Sequence, residues 1–296
     1  MSRPVSPSLA LVEGSAVGTV SRDPGVAPTI NTLWARIRQE AEQSMASEPL
    51  LTTFLISAIL IRASVTEAII GRIAARLEDN AMAAGQIARV FTQAFEADPT
   101  ITEDFVADLV AVLDRDPACT RFIEPILYFK GFQAIQAHRL AHWLWRNGRR
   151  DLALHIQSRS SSVLQCDIHP AARIGKGIFL DHATGLVIGA TAVVEDNVSI
   201  LQDVTLGGTG KESGDRHPKV RRGVMIGAGA KILGNIEIGS CARIAAGSVV
   251  LNSIPSNTTA AGVPARIVGN AGCAEPSRTM DQILNSLAYE SFTYAI

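Results

Sequence analysis

His182 and its acidic neighbours are the residues of this sequence whose types and spacing best suit acid–base chemistry. His182 directly follows Asp181, and Asp167 stands fifteen residues earlier. An imidazole that is backed by a carboxylate is held in one tautomer and can act as a general base. Such a base activates a hydroxyl for attack on a carbonyl carbon. Because no Ser or Cys lies in a nucleophile-type motif, the hydroxyl would have to come from the substrate; the alternative is a surface histidine in a turn.

A second cluster combines basic side chains with a glycine-rich run. Arg216 and His217 stand together, and Arg is suited to a bidentate grip on a carboxylate. The run 207–210, Gly-Gly-Thr-Gly, offers backbone amides that could receive an oxyanion, a thioester carbonyl or a pantetheine arm. It is not a Walker motif, because its spacing to the next lysine is wrong.

Both clusters interrupt a repeat in which aliphatic residues recur at every sixth position. The repeating residues are Ile168, Ile174 and Leu180; then Ile188, Val194, Ile200 and Leu206; then Ile226, Ile232, Ile238, Ile244 and Val250. Helices repeat their apolar face about every 3.6 residues and half-buried strands about every two, so neither explains this period. The period predicts a solenoid in which three hexads, each a short strand plus a corner, complete one triangular coil. With about eighteen residues per coil, Asp167 could come close to His182 on a neighbouring coil.

The repeat breaks at two places, and these places contain the two clusters. The step from Leu180 to Ile188 is eight residues, and the step from Leu206 to Ile226 is twenty. Loops that leave a rigid scaffold often carry function. A tolerated surface insertion would break the period equally well, so the residue types, rather than the spacing, favour the functional interpretation.

Changes of pattern along the chain divide it into four segments. We predict a disordered extension over 1–30, an all-α domain over 31–161, a solenoid domain over 162–269 and a flexible tail over 270–296. His138 and His142 stand four apart on a predicted helix, a spacing that could bind a metal ion. Because no acidic or Cys partner stands at a suggestive distance, a packed pair is the better interpretation, and no metal site is expected.

The composition of the whole chain excludes several classes of function. The chain has 296 residues, a net charge of −1 and four scattered cysteines. A nucleic-acid-binding protein would need a basic face, and a disulfide framework would need a denser set of cysteines. The most apolar run, from Leu50 to Ile61, is too short to cross a membrane and predicts a buried helix. Without an apolar segment near its N-terminus, the chain is expected in the reducing cytoplasm.

Several motifs are specific enough to compare with known families. They are Asp167-Ile168-His169-Pro170, Leu180-Asp181-His182-Ala183-Thr184-Gly185, Val204-Thr205-Leu206-Gly207-Gly208-Thr209-Gly210-Lys211, Gly214-Asp215-Arg216-His217-Pro218-Lys219 and Ala261-Gly262-Val263-Pro264-Ala265, with Arg115-Asp116-Pro117 and Tyr128-Phe129-Lys130-Gly131-Phe132-Gln133-Ala134 upstream. On these motifs the chain resembles the serine acetyltransferases, a family of hexapeptide-repeat acyltransferases with a helical domain. The resemblance begins near residue 31. Ala245 departs from it, since glycine is common there.

The resemblance implies both a fold and a reaction. The implied fold is a helical domain followed by a left-handed parallel β-helix. The implied reaction is transfer of an acetyl group from acetyl-CoA to L-serine, the first step of cysteine biosynthesis from serine. The implied roles are general base for His182, orientation of that base for Asp167, binding of the serine ammonium for Asp116 and Asp181, and binding of its carboxylate for Arg216 and His217.

Further implications concern coenzyme A, assembly and regulation. The positions expected to line the coenzyme A groove are Gly207, Gly208, Thr209, Ala228 and Ala246. The family is hexameric, a dimer of trimers, and is inhibited by L-cysteine at the serine site. Its terminal isoleucine, here Ile296, enters the active site of O-acetylserine sulfhydrylase (cysteine synthase), so the resemblance also implies that partner.

Three other functions remain open on the sequence alone. An acetyltransferase for a sugar or an antibiotic would share the coenzyme A groove but not the helical domain or the acids Asp116 and Asp181. A zinc hydratase on the same solenoid would need three His ligands, including a closely spaced pair, which the repeat region does not have. A binding scaffold without catalysis would show no turnover with acetyl-CoA and serine.

Overall fold

The chain folds into a helical domain followed by a solenoid, the fold class that the sequence predicts. The computed structural model describes residues 29–210 and 213–283, so most of the predicted N-terminal extension, together with Ile296, lies outside it. The helices are α1 (Ile30–Ser47), α2 (Thr52–Leu55), α3 (Val65–Leu77), α4 (Ala84–Ala97), α5 (Thr100–Arg115), α6 (Ile123–Leu127), α7 (Lys130–Arg146), α8 (Arg150–Leu164) and α9 (Pro276–Thr279).

Side-chain caps fix where helices of the first domain begin. The Thr29 hydroxyl caps α1 by accepting a hydrogen bond from the Thr32 backbone N–H at 3.3 Å. Ser64 caps α3 in the same way, accepting from the Glu67 N–H at 3.1 Å. These bonds satisfy amides that have no partner within the helix. Apolar side chains at helical spacing, such as Leu33 of α1, are then buried in the core of the domain.

The apolar run near residue 50 is divided into short elements rather than forming one buried helix. A 3-10 turn (Pro49–Leu51) precedes α2, and a π turn (Ile56–Leu60) follows it. Leu55 is buried, whereas Leu50 is 91% exposed. Pro49 supplies no backbone N–H, which explains why the run begins with a separate tight turn. Within residues 29–210 and 213–283, no helix is long and apolar enough to cross a membrane.

The solenoid is a parallel β-helix with three sheets. Sheet A contains β1 (Cys166–Ile168), β4 (Leu186–Ile188), β7 (Thr205–Gly207), β10 (Lys231–Leu233) and β13 (Val249–Val250). Sheet B contains β2 (Arg173–Ile174), β5 (Val193–Val194), β8 (Lys219–Val220) and β11 (Glu237–Ile238). Sheet C contains β3 (Phe179–Leu180), β6 (Ser199–Ile200), β9 (Met225–Ile226), β12 (Arg243–Ile244), β14 (Thr258–Gly262) and the antiparallel β15 (Ala265–Asn270).

The residues of the six-residue repeat point inwards and stack from coil to coil. Ile188 pairs with Ile168 of the first coil and with Leu206 of the third. All three side chains are buried, which confirms that the period of six marks the core of the solenoid. Val220 takes the next inward position after Leu206. The extra residues of the second break therefore belong to the connection between β7 and β8, here called loop 208–218, of which residues 211 and 212 lie outside the described ranges.

A buried ion pair fixes the helical domain against the solenoid. Asp108 of α5 accepts hydrogen bonds from Nη2 of Arg139 at 2.6 Å and from the backbone N–H of Ile178 at 2.9 Å. Arg139, on α7, also donates to the carbonyl oxygen of Gly175 at 2.9 Å. Since both side chains are buried, Asp108 depends on Arg139 for its neutralisation, whereas Arg139 also pairs with Asp104 at 3.0 Å. The pair therefore holds α5 and α7 on the corner between sheets B and C.

Helix α7 also approaches the solenoid backbone closely at its N-terminus. A Cβ atom at Gly131 would lie 2.0 Å from the carbonyl oxygen of Leu180. Any side chain at this position would collide with backbone, so the contact requires glycine. Leu180 precedes Asp181 and His182, and the contact therefore places the start of α7 beside the first break of the repeat.

The described part of the C-terminal segment packs against sheet C of the solenoid and against α5. The Ser199 hydroxyl of β6 donates to the carbonyl oxygen of Ser277 at 2.7 Å. Arg278 of α9 forms an ion pair with Asp114 of α5 at 2.8 Å. The sequence predicts a flexible tail from residue 270, whereas these contacts anchor residues 277 and 278. Single polar anchors of this kind leave no periodic pattern in a sequence.

Replacing Arg139 with Met should strongly reduce thermal stability. The change leaves the Asp108 carboxylate buried without its cation, a loss of about 3–5 kcal/mol. Thermal unfolding followed by circular dichroism measures the effect. Arg221→Met is the matched control, because Arg221 also contacts two carboxylates but lies on the exposed face of sheet B. Equal losses of stability in the two variants would contradict the role given to burial.

Candidate active site

His182 lies at a strained corner of the first coil. Its backbone φ is 53° and that of Ala183 is 58°, and residues other than glycine rarely adopt this left-handed region. The Ala183 N–H donates to the carbonyl oxygen of Asp181 at 2.5 Å, which closes the turn. The imidazole is 74% exposed, so the turn presents it to solvent. Backbone strain of this kind persists where surrounding contacts enforce it, and it clusters at functional sites.

Contacts from two neighbouring segments enforce this turn. The Gly185 N–H donates to the carbonyl oxygen of Gln165 at 2.9 Å. Lys130, in the first turn of α7, donates to the Thr184 hydroxyl and, at 3.0 Å, to the Gln165 side chain. Lys130 belongs to the motif 128–134, but the sequence assigned it no role, because its partners stand 35 and 54 positions away in the chain. We refer to residues 181–185, with the corner residues stacked on them in later coils, as the His182 corner.

The His182 corner borders a cleft of about 930 Å³ between the helical domain and the solenoid. Asp181 and Asp116 also line this cleft. One carboxylate oxygen of Asp181 lies 3.8 Å from Nε2 of His182. Partial burial raises the pKa of Asp181; His182 opposes that increase, and the Asp116 carboxylate adds to it. Because the two acids repel each other, a bound cation would be stabilised between them.

Arg115 holds Asp116 at the cleft. Its buried guanidinium donates to the Ser199 hydroxyl at 3.1 Å and to the carbonyl oxygen of Val198 at 3.3 Å. Burial lowers the pKa of Arg115 to about 10, so the side chain remains charged at neutral pH. Arg115 is the last residue of α5, and these bonds fix the point where the Asp116 loop begins. The only sequence signal for this role was its place beside Asp116.

Asp167 lies in β1, the outermost strand of sheet A and the first strand of the coil that ends at the His182 corner. Its Oδ1 accepts a hydrogen bond from the Gln157 side chain of α8 at 2.7 Å. In the part of the chain that the structure describes, Asp167 and His182 form no ion pair. The expected proximity assumed eighteen residues per coil, but Cys166 pairs with Leu186, so the first coil takes twenty. The extra residues lie in the turn that carries His182.

Arg216 and His217 lie at a different corner, where loop 208–218 returns to the solenoid. Arg216 is exposed, and His217 is buried against Thr191 in the coil below. Burial, together with the positive charges of Arg216 and Lys219, lowers the pKa of His217. This corner, which we call the Arg216 corner, therefore combines a guanidinium with a neutral imidazole at physiological pH.

The positions expected to contact coenzyme A divide between the same two corners. Gly207, Gly208 and Thr209 lead into the Arg216 corner, and Ala228 and Ala246 lie at the His182 corner in the third and fourth coils. A Cβ atom at Gly208 would lie 3.3 Å from the Arg216 side chain. At the other corner, the Gly247 N–H donates to the carbonyl oxygen of Ala228 at 2.8 Å, so the corner residues stack directly.

The two corners lie at opposite ends of the strands of sheet A: the His182 corner precedes these strands and the Arg216 corner follows them. One side of a coil has about six residues, which at about 3.3 Å per residue separates the corners by roughly 20 Å. The cleft that contains Asp116, Asp181 and His182 is not lined by Arg216 or His217. A single chain therefore brings the predicted site residues together as two separate groups.

The histidine pair on α7 packs at the interface between the helical domain and the solenoid. The rings of His138 and His142 lie 5.8 Å apart, and Nδ1 of His142 is 2.8 Å from the carbonyl oxygen of Pro170. Burial is the main cause that lowers the pKa of both histidines. Over residues 29–210 and 213–283, no three His, Cys, Asp or Glu side chains converge as metal ligands would.

Comparisons with known proteins cover both domains. A family model described as serine acetyltransferase, N-terminal, matches residues 33–137, and one described as bacterial transferase hexapeptide (six repeats) matches residues 217–252. The serine acetyltransferase of Salmonella typhimurium is 52% identical over 265 residues, which are 90% of this chain and 97% of that protein. The crystal structure of the Vibrio cholerae serine acetyltransferase shows 54% sequence identity to this chain and a TM-score of 0.86. The match covers 87% of this chain and 100% of the Vibrio chain.

Related structures also include complexes with small molecules. A Brucella abortus serine acetyltransferase in complex with coenzyme A is 60% identical, with a TM-score of 0.81 over 82% of this chain and 97% of its own. A soybean serine acetyltransferase complexed with serine is 52% identical, with a TM-score of 0.78 over 80% of this chain and 97% of its own. Another, in complex with cysteine, is 50% identical, with a TM-score of 0.84 over 87% of this chain and all of its own. From these matches over both domains, the chain belongs to the serine acetyltransferase family.

Proposed function

We propose that this protein transfers the acetyl group of acetyl-CoA to the hydroxyl of L-serine, giving O-acetyl-L-serine and CoA. The observation that carries the proposal is the exposed imidazole of His182 on a strained turn, beside two carboxylates in one cleft. Relatives over most of the chain are serine acetyltransferases, and the product places the reaction at the start of cysteine biosynthesis from serine. A neutral sugar acceptor would have no ammonium to neutralise Asp116 and Asp181 in the cleft.

In the proposed mechanism, His182 acts as the general base. Its neutral imidazole takes the proton of the serine hydroxyl as the oxygen attacks the thioester carbonyl. The new C–O bond forms, the C–S bond breaks, and the proton passes from the imidazolium to the departing thiolate of CoA. Asp167 would orient the imidazole once substrate is bound. Its Oδ1 accepts a hydrogen bond from Gln157, so Oδ2 is the oxygen that would accept from the imidazole.

Charge complementarity supports the proposed recognition of serine. Asp116 and Asp181 repel each other in the cleft, and an ammonium group between them would remove that repulsion. Arg216 and His217 would bind the carboxylate through a guanidinium and an imidazole N–H. L-Cysteine has the same ammonium and carboxylate, so we propose that it competes with serine at this site. A related structure in complex with cysteine agrees with such inhibition.

The proposed coenzyme A groove follows the corners of the solenoid. Ala228 and Ala246 lie two and three coils above His182, which corresponds to about 10 and 15 Å at the strand spacing. Their small side chains leave room for an extended pantetheine arm along the His182 corner. Gly207, Gly208 and Thr209 would form the opposite wall. Coenzyme A bound to a close relative supports this assignment of the co-substrate.

The separation of the corners leads to a proposal about assembly. Serine is far too small to span the roughly 20 Å between the two corners of one chain. The site would be complete if the His182 corner of one subunit met the Arg216 corner of its neighbour. Repeating such a head-to-tail contact around a three-fold axis gives a closed trimer. We propose that two such trimers form the hexamer typical of the family.

The proposed setting of the enzyme is the cytoplasm. The four cysteines are all free thiols, and Cys119 and Cys166 are buried, as a reducing compartment permits. The proposed partner is O-acetylserine sulfhydrylase, which would bind the terminal residue Ile296. A carboxylate caught by backbone amides and an apolar side chain in a pocket are a known mode of peptide recognition.

His182→Ala should keep the fold and lose about 10²- to 10⁴-fold in turnover, the usual contribution of a general base. Release of the CoA thiol with acetyl-CoA and L-serine measures it. Asp167→Asn should also lower turnover, but by less, because the base itself remains. The matched control is His155→Ala, which removes a histidine of α8 outside the cleft and should leave turnover near normal. Near-normal turnover of His182→Ala would remove this residue from the mechanism.

Arg216→Ala should raise the KM for serine by about tenfold to a hundredfold, since a charged hydrogen bond contributes about 1.5–3 kcal/mol. Inhibition by L-cysteine should weaken in parallel, and the affinity for acetyl-CoA should change little. Arg222→Ala, an exposed arginine at the corner between sheets B and C, is the control. An Arg216→Ala enzyme that used serine normally but bound acetyl-CoA poorly would reverse the assignment.

Deleting Ile296 should abolish binding to O-acetylserine sulfhydrylase while serine acetylation continues. The deletion removes the apolar side chain and moves the terminal carboxylate by one residue, so both parts of the recognised group are lost. Isothermal titration calorimetry with the purified sulfhydrylase measures the complex. Undiminished binding by the shortened chain would place the interface elsewhere.

A further inference from the structure

We infer that Thr191 is the positioning residue that presents Arg216 and His217 to the carboxylate of the substrate. The inference rests on the proposed function and extends its serine site by one residue. Thr191 belongs to no motif with an assigned role, and it stands 25 and 26 positions before the two residues it contacts. Its role follows from the contacts at the Arg216 corner.

One hydroxyl holds the backbone of both binding residues. Thr191 Oγ1 accepts hydrogen bonds from the N–H of Arg216 at 3.0 Å and from the N–H of His217 at 3.2 Å. The pairing of Val193 with Lys219 places Thr191 directly below His217 in the adjacent coil. Loop 208–218 returns to the solenoid at this point, so the hydroxyl fixes the end of the loop to the rigid coil below.

The same residue determines which ring nitrogen of His217 carries the proton. The backbone N–H of Thr191 is directed at Nδ1 of His217 at 3.2 Å, and Oγ1 of Thr191 lies 2.8 Å from Nδ1. A backbone N–H only donates, so Nδ1 has to be the acceptor and the proton sits on Nε2. In the described ranges, Nε2 has no protein partner. It is therefore available to donate to a carboxylate.

The charged groups around His217 favour this neutral, Nε2-protonated form. Arg216 and Lys219 are positive, His169 is a further neighbour, and Asp215 is the opposing acid. Lys219 Nζ forms an ion pair with the Asp215 carboxylate at 2.6 Å, so the negative charge of Asp215 is already largely neutralised. In an imidazolium the Nδ1–H would face the Thr191 N–H, and the nearby Thr191 Oγ1 already accepts two backbone hydrogen bonds. His217 thus binds a carboxylate as a neutral donor beside the charged Arg216.

Gly189 completes the arrangement by leaving room for the ring. A Cβ atom at Gly189 would lie 2.0 Å from Nε2 and Cδ2 of His217. The imidazole is therefore held between the Thr191 turn and a bare backbone segment. Gly189→Ala should displace the ring, which gives a second variant that disturbs His217 without changing either binding residue.

The test compares Thr191→Val with Thr191→Ser. Valine keeps the shape of threonine but removes the hydroxyl, whereas serine keeps the hydroxyl. Thr191→Val should raise the KM for L-serine by about tenfold or more and weaken inhibition by L-cysteine in parallel. Turnover at saturating serine and the KM for acetyl-CoA should stay within about threefold of wild type, because the general base and groove are untouched. Thr191→Ser should restore the serine KM to within about threefold of wild type.

Several outcomes would overturn the inference. A Thr191→Val enzyme with unchanged serine KM and cysteine inhibition would show that the hydroxyl positions nothing. A Thr191→Ser enzyme as impaired as Thr191→Val would assign the effect to packing, as would an equal loss in serine and acetyl-CoA KM. Gly189→Ala should reproduce the rise in serine KM, and normal serine use by that variant would also contradict the proposal. Wild-type enzyme that fails to acetylate serine would instead overturn the proposed function, and the role of Thr191 with it.

Discussion

The closed core of the β-helix is the constraint on which the rest of this structure depends. Each inward residue is stacked between residues of the coils above and below, as Ile188 is between Ile168 and Leu206. A strand that gained or lost one residue would turn its core side chains outwards. Extra residues are therefore accommodated at corners, and both candidate functional clusters lie there. The strained turn at His182 and loop 208–218 are two consequences of the same constraint.

The helical domain makes the two corners unequal. The buried pair of Asp108 and Arg139, together with the close contact of Gly131, fixes the helices over sheet C and beside the His182 corner. Asp116 is thereby brought to Asp181, and a cleft forms around them. Arg216 and His217, at the other corner, do not line this cleft. The His182 corner thus presents the neighbouring carboxylates of Asp116 and Asp181, and the other corner presents the guanidinium of Arg216, so these groups could complement each other in a contact between subunits.

Much of this arrangement could be predicted from the sequence, and the remainder depends on contacts between distant residues. The period of six identified the solenoid, and its breaks located His182 and Arg216, because closed coils impose strict spacing. The sequence gives no role to Thr191 and none to Arg115 beyond its place beside Asp116, since each acts through a neighbouring coil or domain. The relation of Asp167 to His182 depends on the two extra residues of the first coil, which changed the spacing on which the expectation was based.

The most direct test of this account is complementation between two impaired variants, His182→Ala and Arg216→Ala, produced together in one cell with different affinity tags. If each site combines the His182 corner of one subunit with the Arg216 corner of the next, mixed oligomers contain sites with both corners intact. Equal, random mixing should then restore about a quarter of wild-type serine acetylation, measured at limiting serine, because each corner is intact in half of the subunits. Purified mixed oligomers that are no more active than the two parent variants would contradict a site shared between subunits.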